Sequence, residues 1–226
     1  MSVTERLPLA PEVVARHPSI QVLGRRLAIE PLPGPERSLE GEWQRLQSDW
    51  SGRSKAYFQE EPVVRAYFAF FESLGIDTKR KPPSMVNLIQ RFLLKQHPNG
   101  FPTIHPIVDA VNVAAVETLI PLGVFDREPV GAGLRVAMSQ GGESFLPLGA
   151  DEAVELEADR LILRDNENVL SEFGIRDSQH QRIRPGTRSL YLLACQVPGV
   201  GEAQVERGLS CAERMLENFY TIRAEG

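Results

Sequence analysis

Between Ile104 and Asp126 the chain sets three polar residues, Asp109, Asn112 and Asp126, into an apolar frame that Pro121 closes. The apolar residues recur at helical steps, so the segment predicts a helix, and the proline marks its end because it can neither donate the next hydrogen bond nor clear the preceding turn. Polar side chains in such a frame are costly unless partnered or put to use, so the segment reads as a built site.

The rest of the chain divides around this segment. Upstream, the run from Ile20 to Ile29 suits a strand. The spacing of Trp43, Leu46 and Trp50 predicts an amphipathic helix from Glu40 to Phe58 with the tryptophans in the core. A second helix is expected from Pro62, ended by Gly75, and a third over Met85 to Leu94, with Ser84 as its N-cap. Downstream, alternating runs at 134–138, 143–148, 160–164 and 189–197 read as strands, and Glu202 to Tyr220 as a final helix. Helices and strands are segregated, which predicts an α+β class with a helical part packed on a β-rich layered core. Residues 1–59 are expected as an N-terminal extension, strand plus helix, on a domain spanning 60–226.

With 226 residues, 42% of them hydrophobic, the chain can bury a full core. It holds no apolar run long enough to span a bilayer, and its N-terminus lacks a charged-then-apolar layout, so a cytoplasmic protein without a membrane partner is expected. Cys195 and Cys211 read as core residues; two cysteines argue against a disulfide framework and exclude a zinc site of four cysteines. His17, His97, His105 and His180 are scattered without metal-ligand spacing, and no phosphate loop, dinucleotide fingerprint or nucleophile elbow is present; no metal or cofactor is implied. A formal charge of −5 argues against a duplex-coating protein, so DNA is not an expected partner. Two local basic clusters remain: Lys79, Arg80 and Lys81, and a stretch holding Arg176, His180, Arg182, Arg184 and Arg188. These are ordinary solvated loop charges or contacts to a phosphate backbone.

The order Val108-Asp109, Asn112, Pro121, Gly123 and Asp126 resembles the aminoacyl-editing (B3/B4) domain of the phenylalanyl-tRNA synthetase beta subunit. It is closer still to small freestanding proteins built from that domain alone. The likeness extends over about residues 60 to 220. It takes in Leu74-Gly75-Ile76-Asp77, the basic loop and Pro83-Ser84, a Gly-Glu at Gly142-Glu143, and an Arg-Asp loop at Arg176-Asp177-Ser178 in which Gln181 replaces a threonine.

The resemblance implies a freestanding domain that binds aminoacylated tRNA and hydrolyses a mischarged ester, the alternative being a non-catalytic binder of an amino acid or RNA end. It implies Asn112 and Arg176 as catalytic groups, positioning water and meeting the oxyanion. Asp109, Gly123, Asp126, Glu143, Asp177 and Ser178 would contact substrate, with Lys79, Arg80, Lys81, Arg182 and Arg184 on RNA. Read without the resemblance, Asp109 caps exposed helix amides, Asp126 caps a turn, Glu143 is a surface carboxylate and Arg176 forms a structural ion pair. Two departures stand out. Gly123 falls where the synthetase carries a histidine, and the position near Leu193 is apolar where the synthetase has a glutamate that recognises the tyrosine hydroxyl, so a preference for tyrosine is not expected.

Overall fold

The computed structural model describes residues 2–35, 37–94, 101 and 103–225. The main sheet is built on β2 (Gln21–Pro31), whose one edge pairs with β10 (Ser189–Gln196) from Gln21 to Ala28. Its other edge is shared by β1 (Glu5–Arg6) and β11 (Tyr220–Ala224), and β3 (Leu122–Asp126) pairs antiparallel with β10 on the outside. A second antiparallel sheet runs β4 (Arg135–Met138), β7 (Leu161–Arg164), β8 (Val169–Glu172) and β9 (Arg176–Asp177), beside the small hairpin β5 (Ser144–Phe145) with β6 (Val154–Glu155). The class is α+β, as the segregated pattern requires.

The described residues form seven helices: α1 (Pro11–Arg16), α2 (Glu40–Trp50), α3 (Lys55–Gln59), α4 (Pro62–Ser73), α5 (Ser84–Leu88), α6 (Pro106–Thr118) and α7 (Glu202–Leu216). A π-helical turn, Ile89–Leu94, continues α5. The single helix expected over Glu40 to Phe58 is two, because Gly52 turns the chain at φ +75°. Ser84 is the first helical residue and Pro83 the N-cap, so no side-chain cap forms there. The helix expected to reach Tyr220 stops at Leu216, and the chain returns as β11. Trp43, Leu46 and Trp50 are buried, as are Cys195 and Cys211. The 59/60 boundary falls between α3 and α4, with β2 and β10 hydrogen-bonded across it.

Strand parity fixes what lies on each face of the main sheet. Arg25, Leu192 and Val124 form one cross-strand row, and Gly24, Leu193 and Gly123 form the next, pointing the opposite way. The Arg25 row faces α7: the buried guanidinium ion-pairs with Glu206 at 2.6 Å and Glu213 at 3.2 Å and donates to Ser210 and Thr4. Helix α6 packs against α7 in the same layer. The Gly123–Leu193 row faces α4, where the Tyr67 hydroxyl donates to the Cys195 carbonyl at 2.6 Å.

Arg25→Ala strands two carboxylates against the sheet. Glu206 keeps a third of its side chain in water, so the expected loss is about 2 kcal/mol, below the ~3–5 kcal/mol of a fully buried pair. Urea midpoints at unchanged m check this, and a loss under about 0.5 kcal/mol would show the cluster to be ornamental.

Candidate ligand cavity and basic groove

A cavity of about 190 Å³ lies between the α4 face of the main sheet and the second sheet. From the main sheet come Val22, Gly123, Phe125, Leu193 and Cys195, with Pro121 just before β3, and from α4 come Tyr67 and Phe71. The opposite wall is a cross-strand row of the second sheet, in which Leu163 pairs with Ser171 and Ser171 with Asp177. Side chains directly opposite one another on a ladder share a face, so these three present together. Gly174, held at φ +69°, completes the wall; a Cβ there would sit 2.3 Å from the Phe71 ring, so the close approach requires glycine. Exposed Ser84, at the start of α5, stands at the rim.

The polar groups of the cavity are few. Burial, and next the neighbouring Cys195, holds the Tyr67 hydroxyl well above its ordinary pKa, and its proton is committed to the Cys195 carbonyl. Burial likewise pushes the Cys195 thiol far up, which excludes a thiolate nucleophile at neutral pH. Asp177 is the cavity's carboxylate. Desolvation raises its pKa, with the Ser171 hydroxyl opposing.

Arg176 also borders the cavity, but ladder register places its side chain on the neighbouring row with Ile162 and Glu172. There its Nε donates to Glu172 at 2.9 Å and its guanidinium lies 5.2 Å from the centre of the Phe145 ring. It braces the wall from behind, and Asp177 faces inward.

Asp109, Asn112 and Asp126, expected around one cavity, line neither this cavity nor the basic groove described next. Asp109 is turned back on its own helix start, its two carboxylate oxygens accepting the Ile104 amide at 3.0 and 3.2 Å, and burial raises its carboxyl pKa against that amide and the one of His105. Asn112 sits half-buried on α6, in the layer of α7. Asp126 is out of phase with Gly123 and Phe125, so it points away from the cavity. It accepts the Thr187 hydroxyl at 2.8 Å and the Glu128 amide at 3.1 Å, pinning the 178–188 loop to β3.

A second concavity, a groove of about 600 Å³, carries Glu143, Arg164, Ser178, His180, Arg182 and Arg184. Glu143 accepts the Gln140 and Gly141 amides at 2.7 and 2.8 Å, and although burial works the other way these bonds hold its pKa below the ordinary value. Ser178 accepts the His180 amide. Arg182 and Arg184 are exposed, tethered to Gln179 Oε1 and the His180 carbonyl. Lys79, Arg80 and Lys81 are exposed in the turn before α5. His97 lies outside the described residues; among them, no group of three metal-ligating side chains is close enough to hold an ion, and no helix is long and apolar enough to cross a membrane.

Tyr67, Leu163 and Ser171 line the cavity without having been singled out in the sequence. Tyr67 is indistinguishable there from the other apolar-face residues of α4, and Ser171 acquires its place only through the β8–β9 register.

Residues 66–218 match the family model of the B3/4 domain, and the chain belongs to that family. Phenylalanine-tRNA ligase beta subunits are similar to it over a shorter stretch. The one from Pseudomonas savastanoi pv. phaseolicola is 33% identical over 90 residues, 40% of this chain and 11% of that protein. The one from Pectobacterium atrosepticum is 32% identical over 96 residues, 42% of this chain and 12% of that protein. Among solved structures, an N-terminal fragment of the phenylalanyl-tRNA synthetase beta-subunit from Pyrococcus horikoshii aligns with 97% of this chain and 54% of its own, at 15% identity and a TM-score of 0.46.

Proposed function

We propose that this B3/4 domain receives the aminoacylated 3′ end of a tRNA in the cavity and hydrolyses a mischarged aminoacyl ester. The observation that carries the reading is the cavity itself. Gly123, where the resemblance marks one departure from an editing pocket, and Leu193, near which it marks the other, lie side by side on its floor as a cross-strand pair. Its volume is below the range of drug-sized ligand sites and on the scale of one amino acid. Glycine in place of an imidazole leaves space there, and Leu193, near where the synthetase carries its carboxylate, gives an apolar end wall. Such a wall favours an apolar side chain over a hydroxylated one, since a buried hydroxyl without a partner is penalised. Catalysis in this reading is positioning: the ester is held against water, with the terminal ribose hydroxyl assisting.

Both basic segments run into the cavity wall along the chain. Lys81 precedes Ser84 by three residues, and the arm carrying Arg182 and Arg184 follows directly from Asp177. In this reading they meet RNA phosphates on either side of the acceptor end. Affinity for an aminoacylated tRNA is then expected to fall steeply with salt, by a log–log slope of roughly 0.7 to 0.9 per phosphate neutralised. The double variant Arg182→Ala, Arg184→Ala is expected to bind more weakly and to flatten that slope by about two contacts. Filter-binding titrations across a salt series test it, and a salt-independent affinity removes RNA from the account.

A second reading, capture of an aminoacyl end without hydrolysis, is favoured by the ionisable groups of the cavity: Tyr67 is committed to a carbonyl, Cys195 is held protonated, and none of His17, His105 and His180 lines it.

A further inference from the structure

We propose that Asp177 anchors the free α-ammonium of the bound aminoacyl group, so that the cavity accepts aminoacyl ends with an unblocked amine and rejects N-acylated ones. The inference rests on the reading of the cavity as an aminoacyl site.

Of the two charged residues bordering the cavity, Arg176 is engaged behind the wall by Glu172 and Phe145, and Asp177 faces in with Ser171. None of the ion pairs among the described residues involves Asp177. Asp177 is half-buried; a carboxylate partly removed from water and without an ion-pair partner is costly to the fold, and a cationic ligand group offsets that cost. Burial raises its pKa, the sign expected of a carboxylate whose counter-charge is absent.

The walls formed by Phe71, Leu163 and Leu193 carry no formal charge and suit an aliphatic or aromatic side chain. An aminoacyl ester with an apolar side chain presents one cation, on the carbon next to the ester carbonyl. Fixing that nitrogen at Asp177 and the side chain against Leu193 leaves the carbonyl with little rotational freedom. An N-acyl group removes the charge, and with it the attraction to Asp177.

The test uses the full chain and stable 3′-aminoacylamino-3′-deoxyadenosine probes carrying leucine, methionine, isoleucine or phenylalanine, each with a free and an N-acetylated amine, titrated by calorimetry. Wild type is expected to bind at least one free-amine probe roughly ten- to hundredfold more tightly than its acetylated twin, the scale of one charge-assisted hydrogen bond. Asp177→Asn is expected to erase that ratio by weakening the free-amine probe. Equal binding of both forms to wild type overturns the amine anchor and leaves the aminoacyl reading standing; this arm needs no variant to fold. Retention of the preference in Asp177→Asn likewise overturns the anchor. Failure of every probe, free or acetylated, overturns the aminoacyl reading and the anchor together.

Discussion

Gly123→Leu is expected to cost the ligand roughly a hundredfold in affinity while leaving the fold intact. A Cβ at Gly123 would lie 3.9 Å from Leu193 Cβ, an ordinary contact, and the backbone there is not left-handed, so the substitution meets no obstacle at its root. The added carbons enter the cavity and take the space of the ligand's side chain. Losing burial of three or four methylene-sized groups costs the ligand about 2.5–3 kcal/mol, which is roughly a hundredfold. Gly123→Ala fills far less and is expected to weaken binding by no more than about tenfold. Calorimetric titration of both variants, with thermal melts alongside, checks the pair. Unimpaired binding by a folded Gly123→Leu would place the ligand elsewhere.

Trp43→Ala is expected to destabilise the protein by about 3–5 kcal/mol, with Tm falling on the order of 10 °C. Trp43 is 2% exposed and stacks on Phe101, with ring centres 5.2 Å apart and planes 7° from parallel. Its removal opens a cavity where α2 joins the common core. Trp43→Phe should cost much less, about 1–2 kcal/mol, because the buried indole Nε1 has no acceptor and phenylalanine discards that unsatisfied donor. Urea denaturation of the two variants measures the difference. Equal losses would mean that the indole ring makes no use of its size.

The same residues show why the sequence disclosed the architecture better than the site. Helices α2, α4 and α7 announce themselves through apolar steps of three and four, and β2 and β10 through long β-branched and leucine-rich runs. Alternation also marks the short runs that become β4, β5 and β7, but β8 and β9 carry no such signal. Val169–Glu172 and Arg176–Asp177 become strands only by pairing with Leu161–Arg164 and with each other, and that register is what turns Asp177 inward and Arg176 outward. Likewise Asp126 follows Phe125 in the chain yet serves the other side of β3, because one step along a strand reverses the face. The resemblance makes Asp109, Asn112 and Asp126 one constellation, whereas the local reading makes Asp109 a cap and Asp126 a turn residue; hydrogen bonding agrees with the local reading, with Asp109 on the Ile104 amide and Asp126 pinning the 178–188 loop. Gly123 and Leu193, seventy residues apart in the chain, are adjacent only once β3 and β10 pair.

Single-turnover deacylation across a panel of tRNAs mischarged with apolar amino acids, with wild type, Gly123→Leu and Asn112→Ala compared on each, decides whether the domain hydrolyses aminoacyl esters in this cavity. Wild type is expected to release at least one amino acid at a rate well above spontaneous hydrolysis, Gly123→Leu to lose that activity, and Asn112→Ala, whose side chain lies outside the cavity, to keep near-wild-type rates. Wild-type rates equal to the spontaneous rate on every tRNA would contradict hydrolysis and leave a domain that captures aminoacyl ends without cleaving them.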